Sequence, residues 1–142
     1  MEETAQAPEV IQAEPATQVK KKVMLVEDDV FVSDIYQVKM HSEGIDVIAV
    51  MNGMEAIKSL EEGIIPDLIL LDIVMPYMDG LEVLRKVKKN DAWKNIPIIL
   101  LTNLSDKSQI DECFELGAND YIIKSHFTPS EVMKKVYALL GA

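Results

Sequence analysis

Leu68-Ile69-Leu70-Leu71-Asp72-Ile73-Val74-Met75-Pro76 is the stretch on which the fold turns. It is short, apolar without alternation, and carries a single carboxylate. That pattern fits a strand buried on both faces at the centre of a parallel sheet, with Met75-Pro76 ending it. Asp72 then stands where a buried strand opens into a loop. In open α/β sheets that carboxyl end is where sites are built. A lone Asp after a strand is also a common loop cap, so the flanking sequence has to separate the two.

Upstream, Val23-Met24-Leu25-Val26 is another buried-strand run, followed at once by Glu27-Asp28-Asp29. Apolar residues at helical spacing fill 30–40, and Gly44 stands where that helix stops. Residues 45–50 predict a second strand, and Asn52-Gly53 turns the chain into a helix over about 54–62. The central strand is expected over 67–72. Asp79-Gly80 then opens a helix over about 81–89, in which Leu81, Leu84 and Val87 share one face. A fourth strand is predicted over 96–102, with Pro97 acceptable at its beginning. A helix over about 106–116 stops at Gly117, and 121–124 predict a fifth strand. Thr128-Pro129-Ser130-Glu131 reads as a cap with proline at the first helical position, leading into a last helix over 132–140.

Strands that alternate with helices demand a parallel sheet joined by right-handed crossovers. The expected architecture is therefore α/β, a flavodoxin-like doubly wound (βα)5 sheet of five strands with helices on both faces. One site is expected at the carboxyl ends, where the strand order reverses. Residues 1–20, with Pro8, Pro15 and few large apolar groups, cannot repay the entropy of ordering and read as a disordered tail. Residues 21–142 read as one domain.

Composition narrows the function. A chain of 142 residues can bury roughly two thirds of its unfolded surface, enough for a core without metal or disulfide staples. Cys113 has no partner, which suits a reducing compartment and a small apolar role on a helix. The beginning lacks the basic start and apolar run of a signal peptide, and no stretch approaches the roughly 18 apolar residues of a membrane span, so a cytoplasmic protein without membrane contact is expected. Fourteen basic residues against 24 acidic, with Arg85 the one arginine, argue against direct nucleic-acid binding. Acidic surplus usually serves solubility; it matters more if acids converge.

They are expected to converge. Glu27 and Asp28 follow the first strand, Asp72 the third, Thr102 the fourth, and Lys124 the fifth, all at one edge of the sheet. Carboxylates gathered there repel by about 4 kcal/mol per close pair at an effective dielectric near 20, so a cation is required. A hard divalent ion, Mg2+ with Mn2+ as the alternative, suits oxygen ligands and a substrate phosphate. A zinc-type ion does not, since Cys113 and His41 lie on predicted helices and His126 stands alone. A carboxylate beside Mg2+, with an ammonium and a hydroxyl in reach, is equipped for phosphoryl transfer. Asp72 attacks in line, Lys124 neutralises charge on the transferring oxygens, and Thr102 donates a hydrogen bond to the product. Singly, Thr102 reads as an ordinary strand-end hydroxyl and Lys124 as a snorkelling surface lysine. Their joint placement carries the reading.

From about Lys22 onward the chain resembles the receiver domain of two-component response regulators, of the single-domain chemotaxis-regulator type. The matching pieces are Leu25-Val26-Glu27-Asp28-Asp29, Asn52-Gly53-Met54-Glu55-Ala56, Leu71-Asp72-Ile73-Val74-Met75-Pro76-Tyr77-Met78-Asp79-Gly80, Leu101-Thr102, and Leu116-Gly117-Ala118-Asn119-Asp120-Tyr121-Ile122-Ile123-Lys124. The resemblance implies that Asp72 is the phosphoacceptor. Asp28 would be a direct Mg2+ ligand, Glu27 its neighbour acting mainly through water, and the Val74 main-chain carbonyl the remaining protein ligand. Asp29 would be a first-turn helix acid rather than a ligand. Thr102 and Tyr121 match a switch pair read on the face of the fourth helix, fifth strand and fifth helix, as a population shift between two packings; the plainer role for Tyr121 is strand packing. The implied donor is a histidine kinase or histidine phosphotransfer protein, and the implied output is binding to a downstream protein target, with no further domain expected after Ala142.

Two positions depart from the family pattern. Ser125 stands where proline is usual, and since a cis bond before serine costs about 2.5 to 4 kcal/mol, a trans or otherwise altered loop is expected. Asn103 is larger than the usual small residue and narrows access to Asp72. With apolar Val74 and Leu104 on the same approach, few groups can position an attacking water, which predicts slow loss of phosphate. Other aspartate chemistries fit less well. A haloacid-dehalogenase-type hydrolase needs a second Asp where Val74 stands, and a flavin carrier needs a Ser/Thr/Gly-rich phosphate loop where Glu27-Asp28-Asp29 stands. The remaining alternative is a receiver-like binding scaffold that acts independently of phosphorylation.

Overall fold

The computed structural model describes residues 20–75, 78–103 and 107–141. The expected tail up to residue 19, Pro76 as strand stop, and Leu104 on the approach to Asp72 lie outside the described residues. In chain order the elements are β1 (Lys22–Val26), α1 (Val30–Ser42), β2 (Asp46–Val50), α2 (Gly53–Glu61), β3 (Leu68–Leu71), α3 (Gly80–Lys89), β4 (Ile98–Thr102), α4 (Lys107–Glu115), β5 (Asp120–Ile123) and α5 (Pro129–Leu140), with a short 3-10 turn, Lys124–His126, before α5. The strands form one parallel sheet in the order β2-β1-β3-β4-β5. β1 lies between β2 and β3, so the crossovers reverse direction at β1 and leave a crevice above the β1/β3 pair.

Continuous apolar runs dictate the middle of the sheet. β3 and β4 are buried along their whole length, and alternate residues feed two separate cores. Val26, Leu71, Leu100 and their even-spaced neighbours pack against α2, α3 and α4. Leu25, Leu70, Leu101 and Ile122 pack against Tyr36 and Met40 of α1 and Val132, Met133 and Val136 of α5. Two helices therefore cover one face and three the other. Each fully buried aliphatic side chain contributes roughly 1.5–3 kcal/mol of transfer free energy.

Local signals fix where elements begin. Asn52 and Asp79 accept hydrogen bonds from the backbone of Glu55 and Glu82, capping α2 and α3. Thr128 and Glu131 form the expected reciprocal capping box at α5. Gly44, at φ 80°, ends the α1 turn as its position predicts. β4 starts at Ile98 rather than residue 96, because Pro97 has no N–H for the ladder and uses its carbonyl on Ile69 instead. β5 stops at Ile123, and Lys124 opens the 3-10 turn instead of closing the strand. As Ser125 led us to expect, no cis peptide occurs among the described residues. Cys113 is buried on α4 as a small apolar residue, while His41 and His126 are exposed. No helix among the described residues is long and apolar enough to cross a membrane.

Candidate functional site

Register brings the site together. Val26 pairs with Leu71 across β1 and β3, so the residues that follow, Glu27 and Asp72, leave the sheet side by side. Backbone bonds extend the ladder there: Asp72 N donates to the Val26 carbonyl (3.0 Å) and Glu27 N to the Val50 carbonyl (3.1 Å). On the other flank Thr102 ends β4 opposite Ile123, which places Lys124 one residue beyond it. Glu27, Asp28, Asp29, Asp72, Val74, Thr102, Asn103 and Lys124 line one cleft of about 410 Å3. Six of the seven site positions read from the sequence, all but Tyr121, are thus gathered where the crevice was expected.

Within the cleft, Lys124 Nζ lies 3.1 Å from Asp72 Oδ2 and 2.5 Å from Glu27 Oε1. Asp72 Oδ1 accepts the Val74 N–H at 3.2 Å, and Glu27 Oε2 accepts the Asp29 N–H at 3.1 Å. Asp29 caps α1 by accepting from Phe31 and Val32, one position before the first-turn place expected for it, so its side chain is committed to the helix. Thr102 is fully buried at the cleft wall.

Burial raises the Glu27 carboxyl above its ordinary range; Lys124 and the Asp29 N–H oppose that, and the negative charge of Asp72 adds to it. Burial also works against the Lys124 ammonium, but the Glu27 carboxylate beside it and the Asp72 field outweigh it and hold this lysine above its usual value. One ammonium is shared by two buried carboxylates, with Asp28 beside them. Glu27, Asp28 and Asp72 each offer an oxygen within 4.8 Å of the others. Glu27 Oε1 is buried, and although Lys124 stands beside it as an ion pair, that approach does not have the alignment of a hydrogen bond. Three close oxygens, one of them under-satisfied, fit a hard divalent cation.

Tyr121 is placed differently. It pairs with Leu100 on β5, two residues below the Thr102/Ile123 pair, and therefore shares a sheet face with Thr102 as its diagonal neighbour. The ring is half-buried and meets Phe114 of α4 edge-on, 5.8 Å between centroids at 78°.

Gly80 is a positioning residue that pattern reading gave only as a helix start. A Cβ there would run into the Asp72 carbonyl oxygen and come within 2.6 Å of Ile73 Cα, while its N–H donates to the Ile73 carbonyl at 2.8 Å. The N-terminus of α3 is pressed against the backbone that carries Asp72. Gly80→Ala is expected to cost about 1–3 kcal/mol by overpacking. Thermal unfolding checks this: a midpoint within about one degree of the parent contradicts the close approach.

A family model described as the response regulator receiver domain matches residues 23–137. The chain belongs to the response regulator receiver family. Among curated relatives, the "Probable transcriptional regulator ycf27" of Guillardia theta is 33% identical over 123 residues, which are 87% of this chain and 46% of that protein. The chain spans about half the length of the curated relatives it matches. Among solved structures, the Francisella response regulator 1452 receiver domain superposes with a TM-score of 0.78 at 29% identity, covering 86% of this chain and 98% of that one. The receiver domain of the sensor histidine kinase PA1611 from Pseudomonas aeruginosa PAO1, described with a magnesium ion coordinated in its active site cleft, gives a TM-score of 0.78 at 27% identity over 87% of this chain and all of that one. This receiver domain therefore carries, in its cleft, the acidic cluster, hydroxyl and lysine from which the resemblance was read.

Proposed function

We propose that this receiver domain accepts a phosphoryl group on Asp72 from a histidine kinase or histidine phosphotransfer protein and thereby switches a protein-binding face. The observation that carries the reading is Lys124 Nζ held 3.1 Å from Asp72 Oδ2 beside a three-carboxylate cluster. The magnesium ion described in the cleft of the Pseudomonas receiver domain supports it.

Val74 N–H fixes Asp72 Oδ1, which orients the carboxylate in the cleft. A carboxylate oxygen attacks phosphorus in line, the bond to the donor nitrogen breaks, and the released imidazole takes a proton from solvent. Lys124 follows the transferring oxygens and neutralises charge that develops on them. Glu27, Asp28, Asp72 and the Val74 carbonyl are the groups that would hold Mg2+ or Mn2+; when bound, the ion supplies further charge neutralisation at those oxygens. Thr102 donates to a phosphoryl oxygen once the product forms. Its departure from the interior draws Tyr121, on the same sheet face, inward, altering the surface of α4, β5 and α5.

Delivery by another protein agrees with α1. Phe31 (82% exposed), Ile35 and Val38 recur at spacings of four and three and form an exposed apolar stripe on the helix that leaves the cleft.

The direct test is intact mass after incubation with Mg2+ and phosphoramidate. One added phosphoryl group is expected, abolished by chelating the metal; no gain overturns the reading. Val74 is exposed at the approach and Asn103 lines the cleft, so few groups orient an attacking water. Loss of the phosphoryl group is expected over minutes or longer, followed by mass after the donor is removed. A half-life of seconds contradicts this account of the approach.

A further inference from the structure

A second groove, of about 330 Å3, runs between α1 and the segment that joins β5 to α5. It is lined by Val32, Ile35, Tyr36, Asn103, Lys124, Ser125, Phe127 and Pro129. Asn103 and Lys124 also line the acidic cleft, so the two spaces share a wall. Tyr36, on α1, is 5% exposed, with its ring in the core and its side chain also lining this groove. A tyrosine placed this way buries its ring and turns its hydroxyl to a polar partner or to water. Burial raises this phenol above its ordinary value, with Lys124 opposing and Glu27 adding, which sets the hydroxyl within the field of both charges.

Lys124 has three N–H groups to place. Glu27 and Asp72 engage it from the cleft side. The groove side offers Tyr36, the Asn103 amide and the Ser125 hydroxyl, enough polar partners and room for an ordered water. We propose that Tyr36 is a positioning residue for Lys124: with Asn103 and Ser125 it holds a water in the groove that accepts a hydrogen bond from the remaining ammonium N–H. The ammonium is then restrained from two sides. Its aim at the phosphoacceptor depends on a helix that contributes nothing to the cleft wall itself. Both departures from the family pattern, Ser125 and Asn103, supply atoms to that wall.

The inference rests on Asp72 being the phosphoacceptor, so its test reads two quantities. The first is the rate of phosphoryl uptake from phosphoramidate with Mg2+. The second is the NMR signal of the Lys124 ammonium in the 15N-labelled full chain, which needs no phosphoryl chemistry. Tyr36→Phe keeps the ring and removes only the hydroxyl. It is expected to slow uptake about three- to tenfold, to shift or broaden the ammonium signal, and to leave Mg2+ affinity by calorimetry within about twofold. In a Lys124→Ala background Tyr36→Phe should have no further effect on the rate, the non-additivity of groups that act as one. The proposal is overturned if Tyr36→Phe matches the parent in both rate and ammonium signal, or if its full rate effect persists without Lys124. A parent protein that takes up no phosphoryl group sinks the phosphoacceptor reading alone, and the ammonium signal still decides the role of Tyr36.

Discussion

Asp72→Asn is expected to take up no phosphoryl group at all. The amide is nearly the same shape, so the packing under β3 and the Val74 N–H contact survive, but the nucleophilic oxygen is gone. Neighbouring carboxylates cannot stand in for it. Glu27 is fully buried, with one oxygen bound to the Asp29 N–H and the other against Lys124. Asp28 is exposed, and among the described residues Lys124 pairs with Glu27 and Asp72 rather than with it, which leaves it without the cation that transfer needs. Folding should be unharmed, because the change removes one charge from a cluster of three. Intact mass with Mg2+ and phosphoramidate decides the matter: a gain equal to that of the parent would move the phosphoacceptor elsewhere.

Lys124→Ala should have the largest effect on stability. Two buried carboxylates would then face each other without their shared cation, and breaking a buried ion pair from one side costs about 3–5 kcal/mol. The lower end applies, since the lysine side chain is 14% exposed and water can enter the space it leaves. Divalent metal should offset most of this loss, because it binds the folded cluster and not the unfolded chain. At a hundredfold excess over its dissociation constant, Mg2+ returns about 2.7 kcal/mol. Urea unfolding followed by Trp93 fluorescence, with and without Mg2+, measures both quantities. Metal-free stability within about 0.5 kcal/mol of the parent would mean that Lys124 does not hold the cluster together. Phosphoryl uptake by the same variant should fall about a hundredfold even with metal, for want of a cation on the transferring oxygens.

Much of this was legible in the sequence because the decisive signals are local. Uninterrupted apolar runs marked β1, β3 and β4, and the polar residue after each run marked the cleft edge. Parallel pairing then did the rest, since side-by-side strands must leave their next residues side by side. What escaped the sequence depends on contacts between distant segments. Asp79-Gly80 announces a helix start, yet nothing local says that the glycine lies against the Asp72 carbonyl. The apolar residues of α1 are spread round the helix, so spacing alone could not say that Tyr36 and Met40 turn inward while Phe31, Ile35 and Val38 turn outward. The end of β5 was read one residue too long, because an apolar-to-lysine transition looks the same whether the chain stays extended or tightens into a 3-10 turn.

The sheet separates two sets of side chains. Tyr36, Lys124 and the α1 stripe lie toward the side covered by two helices, whereas Tyr121 and Phe114 meet on the side covered by three. A donor protein that grips α1 would leave the Tyr121 side unobstructed. If Asp72 is loaded by a partner on α1 and read through Tyr121, as proposed, the two partners would not compete for one face of the sheet.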